Sequence, residues 1–192
     1  QPDQLTIQEA IERAIRQVTQ TTVSVIGAGR TDSGVHARGQ VASFRTELDW
    51  PASSWMRALN AVLPKDIAVR SSALMDDRFH AQHDARGKLY TYRILHRPAR
   101  PTIDRAFAWH IFKPLDDVAM QQAAATLIGS HDFSSFEGSL TDNDNPICRL
   151  QRLEVIRHDD QIFIEAYADR FLKHMVRAIV GTLVEVGLGK RP

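Results

Sequence analysis

The residues best placed to do chemistry lie in one short stretch, Gly29-Arg30-Thr31-Asp32-Ser33-Gly34-Val35-His36. It holds a single carboxylate, Asp32, with the guanidinium of Arg30 two residues before it. On either side are apolar segments, Val23-Ser24-Val25-Ile26 and Gln40-Val41-Ala42-Ser43-Phe44, that read as strands. The glycine-rich composition between them permits a sharp turn. A carboxylate held at the tip of such a turn by rigid flanks can act as nucleophile or base. The plain alternative is ordinary turn chemistry, since an aspartate side chain readily bonds its own backbone. Two phosphate cradles are excluded by spacing. A P-loop ends in Gly-Lys-Ser/Thr and a dinucleotide fingerprint opens a helix, whereas here Gly27-x-Gly29 runs into Arg30-Thr31-Asp32-Ser33 and then a strand.

A second feature suits a polyanion. The 192-residue chain carries a net charge of only +1, so total charge offers no support for nucleic-acid binding. Its distribution says more. Between Arg78 and Lys113 stand eight basic residues (Arg78, Arg86, Lys88, Arg93, Arg97, Arg100, Arg105, Lys113) against two acids, Asp84 and Asp104. Phe79, Tyr90, Tyr92, Phe107, Trp109 and Phe112 are interleaved with them. Cations that neutralise phosphates and rings that stack on splayed bases are what single-stranded RNA requires. A solvated strand face would carry the same arginines. The single Cys148 excludes an intrachain disulfide and fits a reducing compartment, and no Cys/His spacing matches a structural zinc site. His80 and His83, three apart beside Asp84, are a weak metal signal, and no metal is expected. No run approaches the length of a membrane span.

The elements that must position these groups follow from periodicity. Thr6 and Glu9 form a capping box, with Leu5 able to staple onto Ala10, ahead of a helix whose Ile7, Ala10, Ile11, Ala14, Ile15 and Val18 share one face. Glu12 and Arg16 are spaced to pair on its outside. Strands at about 23–26 and 40–45 flank the Asp32 loop; a helix from Pro51 to Val62 carries Trp55 and Leu59. Further strands are expected at 67–74, 88–95 and 106–112, then a helix over 116–128 stopped by Gly129, and a polar stretch from Gly138 to Asn145. A hairpin of 150–157 and 161–168 leads into a last helix with the stripe Leu172, Met175, Val176, Ile179, Leu183, Val186. That stripe leaves Lys173 and Arg177 at i,i+4 along its edge, and strand alternation puts Tyr90 and Tyr92 on one face. Each could instead be structural: an arginine snorkelling to solvent, tyrosines in a core. The order of elements suggests an α+β fold with helices on one face of the sheet, in two lobes, 1–96 and 97–192, joined near residues 96–105.

The string GRTDSGVHA resembles the signature of the TruA family of tRNA pseudouridine synthases. Other segments resemble that family in the same order: Asn60-Ala61-Val62-Leu63-Pro64-Lys65-Asp66-Ile67-Ala68-Val69, Phe79-His80-Ala81, Lys88-Leu89-Tyr90-Thr91-Tyr92, and Phe171-Leu172-Lys173-His174-Met175-Val176-Arg177. Gln82 and His83 depart from it, standing where the family has an arginine and an aromatic. The resemblance implies the pseudouridine synthase fold, mostly antiparallel with two similar lobes around a central cleft for an RNA stem and loop. It implies Asp32 as nucleophile, Arg177 as its basic partner, Tyr90 as the ring stacked near the target base, and Arg30 as the arginine beside the nucleophile; Lys88, Arg93 and Arg97 of the basic strip, and His80, are expected to contact the substrate. The activity implied is isomerisation of uridine in the anticodon arm of tRNA, around positions 38–40, without a cofactor, in a cytoplasmic homodimer. Whether Asp32 attacks C1′ or C6 or takes the C2′ proton stays open. Gln1-Pro2-Asp3-Gln4 resembles the tail of a family segment, so the chain is expected to be cut at both ends, which leaves a non-catalytic RNA-binding fragment, or a purely structural dimerisation fragment, as alternatives.

Overall fold

The computed structural model describes residues 6–103, 105–138 and 145–192, so the expected Leu5 staple and most of the polar stretch from Gly138 to Asn145 lie outside the described residues. The chain forms two compact units, one ending at Ala85 and one beginning at Arg86. The expected division at 96/97 falls too late, because the strand Lys88–His96 is laddered from Lys88 to Leu95 onto a strand near the C-terminus.

The first unit is helix, short hairpin, helix. Helix α1 (Ile7–Thr19) starts where the Thr6 hydroxyl accepts the Glu9 N–H at 3.1 Å, as the capping box requires. Its Ala10, Ala14 and Ile15 are buried, while Ile7 is exposed. Glu12 does not bind Arg16; it accepts the backbone N–H of Val25 at 2.9 Å, and the outer ion pair is Glu9 with Arg13. That diversion of the Val25 amide shortens the expected first strand. The ladder is only β1 (Ile26–Gly27) against β2 (Ala42–Ser43), antiparallel. Helix α2 (Ala52–Val62) buries Trp55 and Leu59, and Trp55 packs against Phe44 at 5.1 Å and Trp50 at 4.9 Å. Residues 67–74, expected as a strand, pair in no ladder. They are held by side chains: the Asn60 amide donates to the Val69 carbonyl and accepts its N–H, both at 2.8 Å, and the Ser72 hydroxyl donates to the Ala52 carbonyl.

The second unit is a five-stranded sheet in the order β4-β3-β7-β6-β5. Its strands are β3 (Lys88–His96), β4 (Trp109–Ile111), β5 (Gly129–Asp132), β6 (Ile147–His158) and β7 (Gln161–Ala168). All pairs are antiparallel except β3 with β4. Strand β7 alternates strictly, with Ile162, Ile164, Ala166 and Ala168 buried. Strand β6 changes frame at a bulge between Leu150 and Arg152, so that Cys148, Leu150 and then Leu153 face the same core. Helices α3 (Asp117–Thr126) and α4 (Met175–Gly187) share that core through Met120, Ala124, Ile179 and Leu183. They approach closely at Gly187, where a Cβ would lie 2.7 Å from the Met120 sulfur. Strand β5 was not expected; Gly129, at φ +130°, turns the end of α3 straight into it.

The last helix begins later than its apolar stripe suggests. His174 is left-handed (φ 59°) and caps α4, so Lys173 precedes the helix and does not stack with Arg177 along it. At the start of α3 the Asp117 carboxylate accepts from Arg157 at 2.7 Å; the same guanidinium reaches His96 Nδ1 and the Leu115 carbonyl. The Arg157 hydrogen bond holds the Asp117 carboxyl below its ordinary value of 3.8. A carboxyl lowered on folding adds stability above its unfolded pKa, and that stability is lost as pH falls through the folded one. Asp117→Asn should therefore lower Tm at pH 7 but make the fall in Tm from pH 5 to pH 2 shallower, read by circular dichroism melts; parallel curves would dismiss the pair as a stabilising element.

Candidate active site

Asp32 sits where the hairpin is most tightly tied. Beyond the two-residue ladder, the Ala28 N–H donates to the Val41 carbonyl at 2.8 Å, and the Gln40 amide donates to the Gly29 carbonyl at 2.7 Å. Arg70 reaches across from the unladdered segment to the Arg38 carbonyl at 2.8 Å. At the tip the Val35 N–H closes on the Asp32 carbonyl at 3.0 Å, with Gly34 at φ +82°. A positive φ at the third residue alone is the signature of a type II turn, so Asp32 occupies its first position. Asp32 and Arg30 are both exposed. The result is a solvent-facing carboxylate on a turn fastened from both strands and from a third segment.

His80 lies in the same unit. Its Nδ1 accepts the N–H groups of Gln82 at 3.3 Å and His83 at 3.2 Å, and its ring stacks on His83 with centroids 4.1 Å apart. Among the described residues no group of three or more His, Cys, Asp or Glu could hold a metal ion.

In the second unit, Tyr90 and Tyr92 lie on the face of β3 that bears the buried Ile94. Tyr92 packs against the core. The Tyr90 ring meets Phe171 edge to face at 5.1 Å. Phe171 leads into the segment that starts α4, so it links the Tyr90 strand to the Arg177 helix. Arg177 is exposed in the first turn of α4, with Lys173 exposed just before it. A cation at a helix N-terminus works against the macrodipole, so helix stability does not explain Arg177 there. Together with the helix end it makes an electropositive point suited to an anion.

Arg93 and Arg97 are gathered with each other and not with Tyr90. Arg93 is on the opposite face of β3, as the two-residue period demands. Its Nε donates to Gln161 at 2.9 Å, Arg97 pairs with Asp160 at 3.0 Å, and these four side chains line a cavity of about 230 Å³ with Leu95, Thr102 and Ala108. Lys88 shares the Tyr90 face and is half-buried. Gln40, Arg70 and the contact of Phe171 with Tyr90 were not anticipated. Side-chain clamps on backbone carbonyls follow no period, and a ring pair distant in sequence leaves no local signal.

A fastened carboxylate turn, an α+β unit of mostly antiparallel strands and an electropositive helix start define an enzyme architecture suited to a polyanionic substrate. The family described as tRNA pseudouridine synthase matches residues 1–84 and 123–192. The tRNA pseudouridine synthase A of Albidiferax ferrireducens is 45% identical over 187 residues, 97% of this chain and 72% of that protein. Those of Thermoanaerobacter sp. (strain X514) and Paraburkholderia xenovorans are 45% and 44% identical, covering 99% and 100% of this chain and 78% and 71% of their own lengths. The chain belongs to the tRNA pseudouridine synthase family.

The turn itself is open to test. No atom lies within 4 Å of a Cβ built on Gly34, so Gly34→Ala would clash with nothing and act through its positive φ alone. It should cost about 1 kcal/mol or somewhat more in unfolding free energy and, by moving Asp32, slow turnover beyond what that loss explains. Denaturant melts and single-turnover rates measured side by side decide it; an unchanged rate would free Asp32 from dependence on this turn.

Proposed function

We propose that this chain isomerises uridine to pseudouridine in the anticodon arm of tRNA, around positions 38–40. The observation that carries the reading is the exposed Asp32 carboxylate on its multiply tethered turn, in a chain of this family. The N1–C1′ glycosidic bond breaks, the uracil turns, and C5 joins C1′; the C5 proton leaves and N1 gains one, so no redox partner or cofactor is required. Asp32 begins the sequence, by attack at C1′ or C6 or by taking the C2′ proton. Arg177 is assigned the cation that keeps that carboxylate ionised, a role that its exposure at the start of α4 supports. Tyr90 offers a ring, braced by Phe171, for a base extruded from its stack. Arg30 and Lys88 contact the displaced nucleotide, and the Arg93–Arg97 cluster binds phosphates further along the RNA.

The open edges of β4 and β5, the outer strands of the sheet, favour pairing with a second copy, and we assign a homodimer. The buried, unpaired Cys148 suits the reducing cytoplasm. Among the described residues no helix is long and apolar enough to cross a membrane.

Release of tritium from tRNA labelled at uridine C5 reads the reaction directly. Salt-dependent binding without release would instead make the chain an RNA-binding fragment. Asp32→Asn keeps size and polarity but loses the nucleophile or base, so release should fall below about a hundredth of wild type while tRNA affinity stays within a few-fold. Higher residual turnover removes Asp32 from its role.

Arg177→Met retains a long apolar stem at the helix edge and should lower turnover at least about tenfold with Tm little changed. A rate near wild type would make Arg177 a solvated surface residue.

A further inference from the structure

We infer that His80 is a positioning residue for Asp32, acting through the backbone and not by touching RNA; the inference rests on the reading of Asp32 above. The imidazole is committed to a one-turn cap. Its Nδ1 accepts two successive amides, from Gln82 and His83. The turn is closed in the other direction as well: the Asp84 carboxylate accepts the His80 N–H at 2.7 Å, and the Asp84 N–H donates to the His80 carbonyl at 3.0 Å. A neutral imidazole that accepts at Nδ1 carries its proton on Nε2, so this cap selects one tautomer. His83 lies against one ring face.

The capped turn reaches the hairpin through Ala81. Ala81, only 3% exposed, donates its N–H to the Ser43 hydroxyl at 3.2 Å. Ser43 is one of the two β2 residues in the ladder and sits opposite Ile26. A second strut, from Arg45 to the Asp77 carbonyl at 2.9 Å, joins the same two segments. The route is therefore continuous: imidazole, turn 80–84, Ala81 amide, Ser43, ladder, Asp32 loop. A ladder this short has little rigidity of its own, and loss of the cap would let Ala81 withdraw from Ser43. An asparagine side chain can accept the same amides in an Asx turn, whereas alanine cannot.

Hydrogen exchange on the free protein is the deciding measurement, because it needs no activity. His80→Ala should speed exchange of the Ala81 and Ala28 amides about tenfold or more, and His80→Asn should restore most of the protection. Ser43→Ala should reproduce the effect, and the double variant should add little, since both break one link. In tRNA assays His80→Ala should slow the single-turnover step about ten- to a hundredfold with tRNA Kd nearly unchanged. Unaltered exchange over residues 26–43 in His80→Ala, or a weakened Kd with an intact rate, overturns the inference. If the wild-type protein releases no tritium, the reading of Asp32 fails, while exchange still decides whether His80 steadies the hairpin. Should His80→Ala not fold, Ser43→Ala and His80→Asn carry the same comparison.

Discussion

Everything the first unit does depends on how a hairpin with two ladder pairs is kept from fraying. Backbone amides in a folded chain must find partners, and regular strands supply them in rows. Here the row is interrupted early, because Glu12 takes the Val25 amide for helix α1. Beyond the one further backbone bond from Ala28 to Val41, the ties that remain use side chains: Gln40 to Gly29, Arg70 to Arg38, and Ser43, itself in the ladder, receiving Ala81. Each such bond contributes only about 1 kcal/mol net. Distributed over three segments, they oppose displacement of the loop in several directions at once. A site built this way keeps its carboxylate in water without burying it and without letting it wander.

The second unit solves the opposite problem. Its sheet has an apolar core, packed by α3 and α4 around Met120, Leu153, Ile164 and Ile179, and its functional side chains stand at the margins of that packing. Tyr90 lies beyond the fully buried part of β3, and Arg177 projects where α4 has only begun. The left-handed His174 fixes that beginning, so the position of Arg177 is set by backbone geometry at one residue as well as by the apolar stripe behind it. Dense packing behind and solvent in front give long side chains a fixed root and a free end.

What was legible in the sequence was what repeats or what is locally signed. Strand β7 has the expected bounds, the Thr6 and Asp116 caps stand at or beside the expected helix starts, and the expected helix carrying Trp55 and Leu59 is there. The Asp32 turn was legible because Gly34 and its neighbours encode it locally. Residues 67–74 were misread as a strand because their composition is that of an extended chain, and whether such a chain finds a ladder or an asparagine such as Asn60 is a matter of tertiary context. The start of α4 was placed too early because an apolar stripe runs on through a cap that only a φ reveals.

The bulge in β6 carries a consequence for how this gene can change. Before it, Cys148 and Leu150 read the strand in one frame; after it, Leu153 and Val155 read it in the other, while Arg152 reaches Glu165 at 3.2 Å on the opposite face. Gln151 is the residue that absorbs the phase difference. Loss of one codon there would join the two frames into unbroken alternation, with Cys148, Leu150, Leu153 and Val155 inward and Arg152 and Glu154 still outward, whereas the same loss elsewhere in the strand would set the residues beyond it on the wrong face. Length is freest at the one point where the strand already carries a residue to spare.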